Sequence, residues 1–268
     1  MMKIKKDHFD LNQIMRSGQC FRIKEIAENT YSVVYKDNLL LIKKEEDSYD
    51  FLCSEEEFEN VWKDYFDFNT DYNEVETLIK AFNDPHLNEA FSLGSGIRIL
   101  KQDLFETIVS FLISQNNNIS RIKKSIDLIS KSLGKKVSSY DESFTEYTFP
   151  KPSEVDSSVF LKENFGLGYR NEYLKEIYDF VKENPEWLSY LKTLNYEDAR
   201  KELLKRKGIG PKVADCICLF SLHHVDAFPI DTHVKDLLNK YYNGKFNVDA
   251  FKGKAGIIQQ YLFYYEIK

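Results

Sequence analysis

Two periodicities divide the chain. Between residues 31 and 53 the apolar positions come in short runs rich in β-branched and aromatic side chains. Tyr31–Tyr35 and Leu39–Ile42 flank the polar Lys36-Asp37-Asn38, which predicts a hairpin, and Asp50–Cys53 predicts a further short strand. Ser54–Phe68 then reads as a helix. Ser54 is placed to cap it, Glu57 sits in capping-box position, and Phe58, Val61, Trp62 and Tyr65 share one face. From about residue 86 the spacing is helical. Asp103 can cap a nearly continuous apolar run, Leu104–Ile113, the mark of a buried helix. Ile119–Leu133 repeats apolar residues at 122, 126, 129 and 133. Residues 134–153 read as a loop, Val155–Glu163 as a short helix, and Tyr169–Glu183 and Asn195–Lys207 as helices. The tail from Val248 to Lys268 is helical in pattern. These elements predict an α+β fold. An N-terminal antiparallel sheet region with a helix, residues 1–85, precedes a mainly helical region, residues 86–268.

Composition narrows the class. The 268 residues are 43% hydrophobic, with 17 Tyr and 20 Phe, enough to bury a core and too apolar for a disordered chain. No N-terminal stretch resembles a signal peptide, and the apolar runs fall short of the ~20 residues that span a bilayer, so an intracellular chain without a membrane partner is expected. The four cysteines (Cys20, Cys53, Cys216, Cys218) have neither disulfide nor zinc spacing. The net charge of −6 argues against a broadly basic nucleic-acid binder. It is unevenly distributed: residues 195–268 hold 12 Lys/Arg and 9 Asp/Glu, so that segment is net +3 and residues 1–194 are net −9. A local positive face can still hold phosphate.

The basic segment carries the most informative stretch, LLKRKGIGPKVADCICLFSLHHVDAFPID, Leu203–Asp231. Gly208 and Gly210 can take positive φ, and Pro211 suits a first helical position. The prediction is helix, tight glycine hairpin, helix, over about 196–222. Unpaired N–H groups at the hairpin and at the start of the second helix would suit a phosphate. Lys212 lies one residue inside that helix, where the positive end of the dipole disfavours a charged amine and so favours a nucleophile. A solvated surface lysine is the plain alternative. Asp231, after the 225–231 loop, suits an N-cap for a helix from Thr232, and that alone would explain it.

With these residues in view, GIGPKVADCICLFSL…DAFPIDTHV resembles the helix–hairpin–helix and Gly/Pro–Asp motif of base-excision DNA glycosylases. The strings SGQCF (Ser17–Phe21), SQNNNISR (Ser114–Arg121) and FGLGYR (Phe165–Arg170) make the likeness specific to eukaryotic-type 8-oxoguanine DNA glycosylases. It runs over roughly residues 9–265. The resemblance implies the fold expected above, with the site in a cleft between helical portions. It also implies a bifunctional enzyme that excises 8-oxoguanine from duplex DNA opposite cytosine through a lysine Schiff base, then cleaves the strand by β-elimination.

The same resemblance assigns residues. Lys212 and Asp231 are the catalytic pair, nucleophile and stabiliser of positive charge on the sugar. Gly18 accepts a hydrogen bond from N7–H of the lesion, a hydrogen that guanine lacks. Cys216 and Phe263 stack on the two faces of the base, and Gln259 reads its Watson–Crick edge. Ile257 stands where family members often carry Trp. Asn116 fills the space left by the extruded base, and Arg121, Tyr169 and Arg170 attend the orphaned cytosine. Gly208, Gly210 and His233 meet DNA phosphate. No cofactor is required, although the hairpin carbonyls could seat a structural cation. The four-cysteine iron–sulfur cluster of related glycosylases has no counterpart after Asp231. The expected partner is double-stranded DNA with 8-oxoguanine opposite cytosine, bound by a monomer located with the DNA. A monofunctional alkylated-base glycosylase would leave Lys212 without a use, and a non-enzymatic helix–hairpin–helix module would leave the pocket strings without one.

Overall fold

A computed structural model describes residues 1–268. The N-terminal part contains β1 (Met2–Lys5), α1 (Leu11–Arg16), β2 (Ile23–Ala27), β3 (Thr30–Tyr35), β4 (Asn38–Lys44) and β5 (Ser48–Phe51). The strands form one antiparallel sheet in the order β1-β5-β4-β3-β2. The predicted hairpin is β3–β4. Tyr35 pairs with Asn38, leaving a two-residue turn in which Lys36 takes a φ of +53°. A helical segment follows as α2 (Glu55–Glu57), a π-turn over Phe58–Trp62, and α3 (Lys63–Tyr65). It is shorter than expected, ending where Asp67 adopts φ +56°. Ser54 caps it as predicted, accepting from the Glu57 N–H at 3.0 Å.

The helical part comprises α4 (Tyr72–Phe82), α5 (Pro85–Gly94), α6 (Leu104–Ser114) and α7 (Ile119–Leu133), then β6 (Lys136–Ser138) and β7 (Thr145–Tyr147). After these come α8 (Val159–Lys162), α9 (Asn171–Glu183), α10 (Trp187–Leu191), α11 (Tyr196–Leu203), α12 (Pro211–Phe220), α13 (Thr232–Tyr242) and α14 (Ala255–Glu266). Residues 134–153 are not simply a loop, because β6 and β7 pair there as a small antiparallel ribbon. Its two three-residue strands, Lys-Val-Ser and Thr-Glu-Tyr, are too short and too polar to show an apolar alternation. The tail is also broken: Val248–Phe251 is a 3-10 turn, and Gly253 at φ +82° separates it from α14.

Two apolar clusters form the interior. One gathers 17 buried residues from Phe9 to Phe66, with Leu100, beneath the sheet. The other gathers 51 residues of the helical part. Tyr72, Val75 and Ile79 of α4, which precede residue 85, belong to the larger cluster, because the buried face of α4 turns toward the helices. α6 is buried along nearly its whole length, as its continuous apolar run requires. A polar tie joins the two parts. The Asp67 carboxylate is fully buried, accepts from Thr70 (2.8 Å) and Tyr72 (3.1 Å), and lies 3.4 Å from His223 Nε2, just beyond α12.

Candidate active site

The hairpin folds as its sequence predicts, with one difference. Gly208 takes φ +81°, and a Cβ there would come within 2.7 Å of the Tyr173 ring. Gly210 instead is extended (φ −90°, ψ 177°), serving as the N-cap of α12. A Cβ at Gly210 would meet nothing within 4 Å, so neither dihedral strain nor internal crowding calls for glycine at that position. Ile209, between them, anchors the hairpin in the core. No side chain caps α12, and the N–H groups of Gly210, Lys212 and Val213 donate to nothing in the chain. α11 and α12 are locked by Asp215, whose carboxylate takes bonds from Arg200 (2.6 Å) and Tyr196 (2.9 Å). Burial pushes the Asp215 carboxyl up despite these two donors.

Lys212 and Asp231 line one cleft together with Gly18, Cys216, Gln259 and Phe263. These six come from the loop after α1, from α12, from the start of α13 and from α14, so four separate parts of the chain converge. Asp231 is the N-cap of α13, accepting from the Val234 N–H at 2.9 Å. The Lys212 ammonium sits 5.3 Å from the centroid of the Phe111 ring. Cys216 is buried one turn along α12, and burial pushes its thiol up to about 11, against the opposing pull of Lys212. It is a neutral apolar surface at ordinary pH. Gln259 is buried on α14, its amide donating to the Pro229 carbonyl at 2.9 Å. Phe263 lies across the opening from Gly18. A Cβ on Gly18 would stand 3.0 Å from the Phe263 ring, and Gly18 has φ +76°. The cleft's free interior is only ≈ 20 Å³, about what one water needs, so a purine does not fit it as it stands. No hydrogen bond in the chain ends on the Gly18 carbonyl.

A second group lies at the α6–α7 turn. Asn116 is exposed and left-handed, φ +45°. Asn118 caps α7 by accepting from the Arg121 N–H at 2.9 Å, and the Arg121 side chain is exposed. Tyr169 is 52% exposed, its hydroxyl 3.4 Å from the Gln115 carbonyl and its ring 4.5 Å from the Arg170 guanidinium. Arg170 is the most enclosed of this group. It is buried, and its guanidinium donates to the carbonyls of Leu167 (3.0 Å), Gln115 and Asn116 (3.0 Å). His233 is exposed on the first turn of α13, 6.4 Å from the Phe263 ring. The sequence reading missed Phe111, Phe220 and Pro229 in the cleft wall. Phe111 and Phe220 sit in continuous apolar runs and carry no signal separating them from core.

Comparison with known proteins identifies the family and the fold. Residues 1–108 match the model of the family described as 8-oxoguanine DNA glycosylase, N-terminal domain. The chain is 35% identical over 199 residues to the N-glycosylase/DNA lyase OGG1 of Arabidopsis thaliana, a match covering 72% of this chain and 49% of that protein. The matched region thus spans about half the length of that curated relative. Among solved structures, MBOgg1 in complex with a low-affinity DNA ligand superposes with TM-score 0.89 at 35% identity, over 98% of this chain and 93% of that one. The Clostridium acetobutylicum 8-oxoguanine glycosylase/lyase, bound to double-stranded DNA with cytosine opposite 8-oxoguanine, gives TM-score 0.86 at 36% identity, over 97% and 92%. With fold, length and identity agreeing across nearly the whole of these two structures, the chain belongs to the 8-oxoguanine DNA glycosylase/lyase family.

Proposed function

We propose that this chain excises 8-oxoguanine from duplex DNA and then nicks the strand at the resulting abasic sugar, with a preference for cytosine opposite the lesion. The observation that carries this reading is the convergence of Lys212, Asp231 and the unpartnered Gly18 carbonyl on one narrow cleft. The Lys212 amine attacks C1′ as the C1′–N9 bond breaks. The base leaves with a proton, and the opened sugar remains bound as a Schiff base. Loss of a C2′ proton then expels the 3′ phosphate. Asp231, held by its capping bond, faces the positive charge that develops on the sugar. Gly18 reads N7–H, Cys216 and Phe263 sandwich the ring, and Gln259 reads the Watson–Crick edge. The free N–H groups of Gly210, Lys212 and Val213, with His233 nearby, suit a backbone phosphate, and Gly210 gives it close approach. Asn116 fills the emptied stack, while Arg121 and Tyr169 meet the orphaned cytosine. Arg170 braces the Asn116 turn through its carbonyl bonds and keeps one Nη1 hydrogen for the cytosine.

Borohydride trapping on labelled duplexes with 8-oxoguanine opposite each of the four bases tests this. The expected result is a covalent adduct strongest opposite cytosine, absent in Lys212→Gln. Base release without an adduct would move the assignment to a monofunctional glycosylase. Neither release nor adduct would leave a DNA-binding module.

A further inference from the structure

The Gly18 carbonyl is held from both sides. On one side the Ser17 hydroxyl and N–H both donate to the Ile14 carbonyl, at 2.9 and 3.2 Å. On the other side is Gln19, whose side chain has no solvent exposure. A buried amide is tolerated where its bonds are made, and here both N–H donors and the oxygen are engaged. Its nitrogen donates to Ser17 Oγ (2.9 Å) and to the Arg98 carbonyl (3.0 Å), and its oxygen accepts from the Leu100 N–H (2.8 Å). The carbonyl of Gln19 accepts from the Gln102 side chain at 2.7 Å. The Gln102 backbone is in turn fastened to the end of α12. Its N–H donates to the Phe220 carbonyl (3.0 Å), and its carbonyl accepts from the Ser221 hydroxyl (3.0 Å). A continuous hydrogen-bonded path therefore runs from the peptide beside Gly18 to the helix that carries Lys212 and Cys216.

We infer that Gln19 and Gln102 are positioning residues, a strut that sets the Gly18 carbonyl against α12 and thereby sets the preference for the oxidised purine over guanine; this rests on the lesion-reading role proposed for Gly18. An N7–H donor gains only if the carbonyl stands at hydrogen-bond distance and angle, and guanine is rejected only if its N7 lone pair meets the same oxygen. A displaced carbonyl loses on both counts, so discrimination falls faster than folding or lyase chemistry does. β-Elimination at a preformed abasic site involves no nucleobase and does not depend on where Gly18 points.

Gln102 is half-buried, so its substitution is the gentler test. Gln102→Glu keeps the chain length but, ionised, cannot donate to the Gln19 carbonyl. Three readouts are taken on the full chain: single-turnover release of 8-oxoguanine, β-elimination at a preformed abasic site, and the ratio of affinities for lesion and undamaged duplex. Base release should slow about tenfold, the worth of one hydrogen bond, and the affinity ratio should fall, while β-elimination stays within about twofold. Gln19→Met should act in the same direction. Equal slowing of both reactions would make the pair a general structural element and overturn the inference, as would unchanged base release. Failure of the unsubstituted protein to release 8-oxoguanine would instead remove the lesion assignment itself, and the strut's role with it.

Discussion

Asp231 serves two purposes with one carboxylate, and the two can be separated. As an N-cap it accepts the Val234 N–H, a bond that Asn makes about as well. Its proposed chemical contribution needs the negative charge, which Asn lacks. Asp231→Asn should therefore leave thermal stability within about 0.5 kcal/mol yet slow single-turnover base release by about 10²–10³. Calorimetry and quenched-flow measurements check the two halves, and an unchanged rate would remove Asp231 from the chemistry. Gly18 is similarly overdetermined. Its φ of +76° and the 3.0 Å approach of the Phe263 ring both oppose a side chain. Lys212 was legible because Pro211 marks the helix start beside it. Phe111, which faces the Lys212 ammonium, was not, because its neighbours in α6 are equally apolar.

α12 does the most positioning. Its N-terminus presents free N–H groups, its first turns carry Lys212 and Cys216, and its far end is tied to the N-terminal part through Gln102 and through His223. The Asp67–His223 tie gives a pH signature. Burial alone would raise the Asp67 carboxyl, but bonds and charge from His223, Thr70 and Lys101 outweigh it and hold it below the usual carboxylate range. A carboxyl lowered in the folded state contributes stability above its unfolded pKa of about 3.9 and loses it as pH falls through the lower folded value. Asp67→Asn should thus cost about 2 kcal/mol at pH 7, and the gap should narrow as pH falls below about 3.9 and close only below the lower folded value. Denaturant melts at pH 7 and pH 3 test it, and an equal gap at both would show that the ionised form is not what stabilises. The β6–β7 ribbon illustrates the opposite case, an element held by local pairing with hardly any apolar pattern to announce it.

Taken whole, the molecule is acidic, although residues 195–268 carry a net +3. On the face proposed for DNA, Lys212 lines the cleft, and Arg121 and Lys124 lie together on α7 beyond the Asn116 turn. Affinity should then depend only moderately on salt, with a log–log slope of about −2 to −4, because each neutralised phosphate contributes about −0.9. Anisotropy titrations on duplex DNA over a range of salt would measure it, and a slope steeper than about −6 would reveal a wider basic face than the one described. No helix is long and apolar enough to cross a membrane.

Local chemistry is what the sequence determined unaided. A Gly-X-Gly-Pro run makes a hairpin and starts a helix, Ser54, Asp103 and Asp231 cap the segments they precede, and alternating β-rich runs pair across a polar turn. Such features depend on neighbours within a few residues, and the pattern carries them. The cleft is different. Gly18, Lys212, Asp231 and Phe263 are separated by up to 245 positions, and only packing of α12 against α6, α13 against α14 and the loop after α1 against Phe263 makes them one site. The structure alone also decided that Gln259 is buried, that Arg170 is engaged by three carbonyls, and that the cleft as it stands is too narrow for a base. Burial and hydrogen-bond partnership are properties of what surrounds a side chain after folding, and no residue's own identity or spacing specifies them.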